Sequence, residues 1–250
     1  MNGKNQILEI CQVSGRRRIK IVLHEIYADN SKYNENGITW LEQYTRDNAD
    51  TIKGMPLCAE FIDNDKDIPY GHGLTGLKGN IPVFENSVQV GTFEDWTIEN
   101  VDFEGEKHKC LCGIGYINEN RYPNFCDWID KQIAERNKIF GSVETTGTPE
   151  NNGEIIYQDG WKEKGRVPMI YDYTGYCIVT VRPSDDKAIL LEFQEGTKVE
   201  AEAEEKNNYD DVFLDLLGER NAANTSEFDD IFGKSEPYNH GKNEFDEIFQ

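Results

Sequence analysis

Residues 140–147, Phe140-Gly141-Ser142-Val143-Glu144-Thr145-Thr146-Gly147, decide how the chain is read. A helical pattern runs into this stretch and a β-type alternation leaves it. On a strand, successive side chains point to opposite faces, so Ser142 and Glu144 share one face. A serine is a poor nucleophile until a neighbour takes its proton, and that neighbour is usually a histidine. The chain has four histidines, and His72 stands apart in the glycine frame Tyr70-Gly71-His72-Gly73-Leu74. The plainer alternative is that Ser142 is a half-buried strand serine with no chemistry, because a Ser-Val-Glu triplet by itself decides nothing.

Upstream of residue 140 the helix is well marked. Pro123 suits a first turn. Phe125, Trp128, Ile129 and Ile133 fall at i, i+3, i+4 and i+8, an apolar stripe on one face, and Asn137-Lys138 ends the pattern. Downstream, a polar insert at Pro149–Gly153 precedes Ile155-Ile156-Tyr157 and the turn Asp159-Gly160. A long strand then runs from Ile170 to Arg182, and Ala188–Phe193 closes the pattern.

Towards the N-terminus, Ile7–Val13 and Ile19–Tyr27 alternate as strands, with Gly15-Arg16-Arg17-Arg18 as a hairpin connection. Ile38, Trp40, Leu41 and Tyr44 suggest a short helix, and Leu57–Ile62 a strand. Val83–Val90 and Gly91–Val101 read as strand, with Gly91 marking a bulge or bend, and His108–Ile117 alternates again. Many strands around one strong helix predict a mainly β fold with helices (α+β), a barrel or a sandwich.

The composition divides the 250 residues in two. Residues 1–193 are long enough to bury a core. Residues 194–250 are acidic. Between Glu195 and Gln250 stand 16 acidic and 5 basic residues. Such a tail is expected to be largely disordered, since it buries too little apolar surface to offset the entropy of ordering. It carries three related segments, Tyr209–Leu217, Phe228–Phe232 and Phe245–Phe249, each with apolar side chains spaced for one helical face. They read as anchor motifs that dock into grooves on an assembly partner.

The net charge of −21 argues against nucleic acid and anionic membrane as partners. No run of about 18 apolar residues occurs, so no membrane span is expected. Met1–Asn5 leads into no signal-like apolar run, and six scattered cysteines form no disulfide framework, which places reduced thiols in a cytoplasm. His108, Cys110 and Cys112 could converge on one strand face as metal ligands, but buried thiols are the commoner meaning of such spacing. There is no phosphate-cradling glycine loop and no dinucleotide fingerprint. Neither a cofactor nor a metal is expected.

Gly141-Ser142-Val143-Glu144, followed about thirty residues later by Tyr171-Asp-Tyr-Thr-Gly175-Tyr-Cys-Ile-Val-Thr180-Val-Arg-Pro183-Ser-Asp-Asp-Lys-Ala188, resembles the prohead (head maturation) proteases and protease-scaffolds of tailed bacteriophages. In those families a histidine comes first, then a strand serine after a helix, then an apolar strand ending in a Val-Thr-x-x-Pro type turn. Gly54-Met-Pro-Leu57 with Gly-His72-Gly looks like the histidine region. The resemblance spans roughly residues 20–193. It implies an assemblin-like β-barrel core and a serine endopeptidase that cleaves scaffold, capsid protein and itself inside the procapsid, within the host cytoplasm. It further implies the major capsid protein and scaffold as partners and a homo-oligomer, most simply a dimer.

By this resemblance Ser142 attacks, His72 is the base and Asp172 orients it, with Arg182 or backbone amides near Ser142 holding the oxyanion. Where some relatives carry a glutamate at the start of the last long strand, this chain has Thr174 and Gly175. Asp29 and Glu144 are the alternatives to Asp172. A different class of function, a non-catalytic scaffold or assembly protein that retains the protease fold, is consistent with the same features.

Overall fold

The structure, a computed structural model, describes residues 15–78 and 81–194. Strand β1, Arg16–Glu25, turns Ile19, Ile21 and Leu23 into the core by simple alternation. A short helix α1, Glu42–Asn48, and a 3-10 turn, Ala49–Ile52, lead to β2, Pro56–Ala59. Two three-residue strands, β3 (Gly76–Lys78) and β4 (Ile81–Val83), make a small hairpin. The long strands β5, Val88–Phe103, and β6, Glu106–Asn118, pair along almost their whole length. Helix α2, Pro123–Ala134, buries Phe125, Cys126 and Ile129. Then come β7 (Phe140–Thr146), the small β8–β9 pair (Ile156–Tyr157 and Pro168–Ile170), β10 (Asp172–Val179) and β11 (Leu190–Phe193).

Seven strands form one sheet in the order β11-β1-β6-β5-β2-β10-β7, antiparallel throughout except for β2 beside β10. The mainly β expectation holds. The closed barrel does not. A barrel needs a ladder between its outermost strands, and β7 and β11 do not form one. Their junction is the single bridge Phe140–Ile189, flanked by hydrogen bonds from Gly141 N–H to the Ala188 carbonyl and from Leu190 N–H to the Ile139 carbonyl, both 2.9 Å. From Leu190 onward the chain pairs with β1 instead.

Other expectations shift for physical reasons. Arg16–Arg18 belong to β1 itself rather than to a connection before it, and Arg17 is buried against the Phe193 ring and Asp130. The short helix begins only at Glu42; Ile38 and Leu41 form bridges to Arg166 and Tyr27 instead. Gly91 does sit at a bulge. Its neighbour Val90 is the unpaired residue, between the pairs Leu57–Gly91 and Cys58–Gln89. Helix α2 stops at Ala134, and Ile133 is exposed, so the apolar stripe works only through Ile129. The Ile7–Val13 strand and the acidic tail with its three motifs lie outside the described residues. Among the described residues, no helix is long and apolar enough to cross a membrane.

Candidate active site

The site is a patch on one sheet face, built from β2, β10 and β7 and roofed by the loop that follows β2. Residues paired directly across strands share a face. Cys177 of β10 pairs with Cys58 of β2 on one side and with Ser142 of β7 on the other, so the three form a row. One step along, Gly175 pairs with Glu144. A bulge at Thr174 sets that register and leaves β7 regular, which keeps Ser142 and Glu144 on the same face. A Cβ on Gly175 would collide with the Glu144 carboxylate, so glycine is what lets the carboxylate lie down across β10.

Above this patch the loop brings in His72. Its Nδ1 lies 2.7 Å from Glu144 Oε1. A carboxylate at that distance accepts, so Nδ1–H donates and Nε2 keeps its lone pair. That is the tautomer a general base needs. The loop is pinned on both sides of the histidine. Glu60 Oε2 accepts from Gly71 N–H at 3.1 Å and from Gly73 N–H at 2.9 Å. Gly73 has φ +70°, and a Cβ there would run into the Ser87 backbone, so glycine is required twice over. The Cys177 thiol donates to the Gly71 carbonyl at 3.2 Å, and Thr180 ties Pro69 and Tyr70 to the end of β10. The Phe84 ring lies 5.6 Å from the imidazole.

The imidazole and the carboxylate are partly open to solvent, whereas Cys177 is fully buried beneath the loop. Burial pushes the Cys177 thiol well above its ordinary range, with the nearby Glu144 charge adding to the effect. Cys58 is pushed up to about 11 for the same two reasons, burial first. Both are held as thiols. His72, Glu144 and Cys177 offer one donor atom each within 4.8 Å of one another, and among the described residues they are the one cluster able to hold a metal ion.

The YonD N-terminal domain family matches residues 17–215. The chain belongs to that family. No curated protein and no solved structure matches it. The span matched by the YonD N-terminal domain takes in His72, Ser142, Glu144 and Cys177 alike.

Of the residues expected from sequence, the structure brings His72 to the Ser142 strand, with Glu144 between them as the partner of His72. No hydrogen bond joins Ser142 to His72 among the described residues. Asp172 makes no hydrogen bond to His72 among the described residues. It opens β10 opposite Thr146, beyond the Thr174 bulge, and the carboxylate that meets His72 Nδ1 is that of Glu144. Asp29 is exposed in the turn after β1, where it caps Ser31 N–H at 2.8 Å. Arg182 lies past the end of β10, highly exposed and paired with Glu35.

His108, Cys110 and Cys112 do share a strand face. His108 Nδ1–H donates to Glu25 Oε1 at 2.7 Å, while the two thiols pack with Val22 in a small buried cluster on the other side of the sheet from the main core. Glu60 and Cys177 were not found by sequence reasoning. Their role depends on contacts across a loop and between strands, for which the local sequence carries no signal.

Proposed function

We propose that the chain is a serine endopeptidase of the phage head-maturation type, with Ser142 as nucleophile, His72 as general base and Glu144 as the residue that orients the histidine. The observation that carries this reading is the 2.7 Å hydrogen bond between His72 Nδ1 and Glu144 Oε1 beside Ser142 on the same strand face. The carboxylate fixes the tautomer, so Nε2 can take the Ser142 proton as the hydroxyl attacks the scissile carbonyl and return it to the leaving amine. The bond also stabilises the imidazolium that forms. Hydrogen bonds in resting proteases are often long and tighten only around substrate, which accommodates the gap between Ser142 and His72.

A groove of about 580 Å3 opens beside the C-terminal half of β7, lined by Thr145, Thr146, Ile156, Tyr157 and Trp161. It begins one residue beyond Glu144 on the same strand. The substrates of this reading are scaffold and major capsid protein within the procapsid, and the protein itself as a homo-oligomer.

The test is co-expression with its capsid and scaffold proteins. Wild type is expected to process them, and Ser142→Ala to leave them intact while folding normally. Equal processing by both would sink the reading. A second function, a non-catalytic scaffold that retains the fold, is favoured by the absence of a Ser142–His72 hydrogen bond among the described residues. It predicts that particles assemble normally with Ser142→Ala.

A further inference from the structure

We propose that His72, Glu144 and Cys177 form a zinc site that competes with the catalytic pairing of His72 and Glu144. The three residues come from a loop and two strands, yet their donor atoms lie within 4.8 Å of one another. One imidazole, one carboxylate and one thiolate suit Zn2+ and its spectroscopic substitute Co2+ far better than Mg2+ or Ca2+. Tetrahedral zinc, with bonds of about 2.0–2.3 Å, needs its ligand atoms roughly 3.3–3.8 Å apart. The 2.7 Å contact between His72 and Glu144 therefore opens by a fraction of an ångström, and the thiol swings from the Gly71 carbonyl to the ion. A fourth position is left for water.

Three features mark the cluster as more than a chance meeting. Glu144 is nearly buried, at 11 % side-chain exposure, and is held across the bare Gly175, so its position is fixed before any ion arrives. His72 is flanked by two glycines whose amides Glu60 pins. Cys177 sits directly beneath the loop, pointing at the same spot, with a thiol that nothing in the proposed proteolysis uses. An ion turns that thiol into a thiolate and releases its proton to solvent.

Coordination at Nδ1 also moves the imidazole proton to Nε2. In that tautomer the ring has no lone pair to offer Ser142. The ion would thus hold the relay off, and its removal would restore it. This consequence rests on the serine-protease reading; the site itself does not.

The experiment uses the full chain, stripped of metal with a chelator and then titrated with Co2+ and Zn2+. One Co2+ per chain is expected, with tetrahedral d–d bands and a thiolate-to-cobalt charge-transfer band, displaced by Zn2+ and not by Mg2+. One proton per chain should be released. Cys177→Ser is expected to lose the charge-transfer band and to weaken zinc binding by at least about tenfold. Cys11→Ser and the double variant Cys110→Ser/Cys112→Ser should bind as wild type does.

Should Cys177→Ser not fold, Glu144→Gln serves instead. It keeps the charge-transfer band and weakens zinc. Absence of the band in wild type overturns the proposal, and so does a band that persists undiminished in Cys177→Ser. Neither result depends on cleavage, so a chain that binds zinc without cutting, or cuts without binding zinc, separates this site from the proteolytic reading.

Discussion

Glu144 is the carboxylate that meets His72, with its Oε1 2.7 Å from Nδ1. Strand alternation places it on the Ser142 face from sequence alone. That makes it one of three candidate carboxylates, and nothing local ranks it above Asp172. The ranking comes from β10. The Thr174 bulge shifts the register so that Gly175, and not a residue with a side chain, faces Glu144. A glycine chosen to clear a carboxylate on the next strand leaves no periodic trace, and the same holds for Glu60 beneath the glycines of the His72 loop. The two readings separate sharply in function. Glu144→Gln keeps the shape of the side chain but lets the imidazole settle in the wrong tautomer, so cleavage should fall roughly a thousandfold or more. Asp172→Asn should cleave within a few-fold of wild type. Steady-state cleavage of a capsid-derived peptide by both variants would decide, and the reverse ranking would restore Asp172 as the orienting residue.

At the scale of elements, the clearest misjudged segment is Gly15–Arg18. Three consecutive arginines look like a solvated turn, yet Arg17 is 3 % exposed within β1. Its guanidinium forks onto both oxygens of Asp130 in α2, at 2.6 and 2.8 Å, and lies 3.8 Å from the centroid of the Phe193 ring in β11. An arginine can do this because its apolar stem is buried while its fork meets a carboxylate. It thereby joins the first strand, the main helix and the last strand. The helix was readable from its stripe because i, i+3, i+4 periodicity is local, but the residue that fastens it to the sheet lies 113 positions away in sequence. Arg17→Ala should cost about 2 kcal/mol, from lost charge-assisted hydrogen bonds and lost packing, with no added penalty at Asp130, which is half-exposed and remains solvated. Urea unfolding gives the value. A loss below about 0.5 kcal/mol would mean that the pair behaves as an ordinary surface ion pair.

For the whole molecule, the class was legible because strand-length alternation recurs along the chain, while closure was not, because closure depends on which strands end up at the edges. The core that all the long strands share contains one titratable group whose state reports on global stability. His24, in the middle of the fold, stacks on Trp40 at 4.4 Å between ring centroids. Its Nδ1–H donates to the Glu25 carbonyl at 3.0 Å, so Nε2 accepts from the Tyr173 hydroxyl at 2.8 Å, and Tyr173 in turn accepts from Tyr171 at 3.0 Å. A second proton on the ring would break this chain and place a charge among aromatic rings. Burial accordingly lowers the His24 pKa from its ordinary 6.5 to about 4. The unfolded chain therefore binds a proton that the folded chain refuses, and it does so between about pH 6.5 and pH 4. Stability contributed by neutral His24 is complete above pH 6.5, drains away as the pH falls through this window and changes little below it, by roughly 3 kcal/mol in all. Asp185 acts in the opposite sense at the acid end, since burial raises its carboxyl and favours the protonated folded form. Comparison with His24→Gln cancels that contribution. The measurement is the urea midpoint of both proteins from pH 8 to pH 4. The wild-type curve should bend downward below pH 6.5 while the variant, though less stable at pH 8, loses less on acidification. Parallel curves across the window would show that His24 takes up its proton without disturbing the fold.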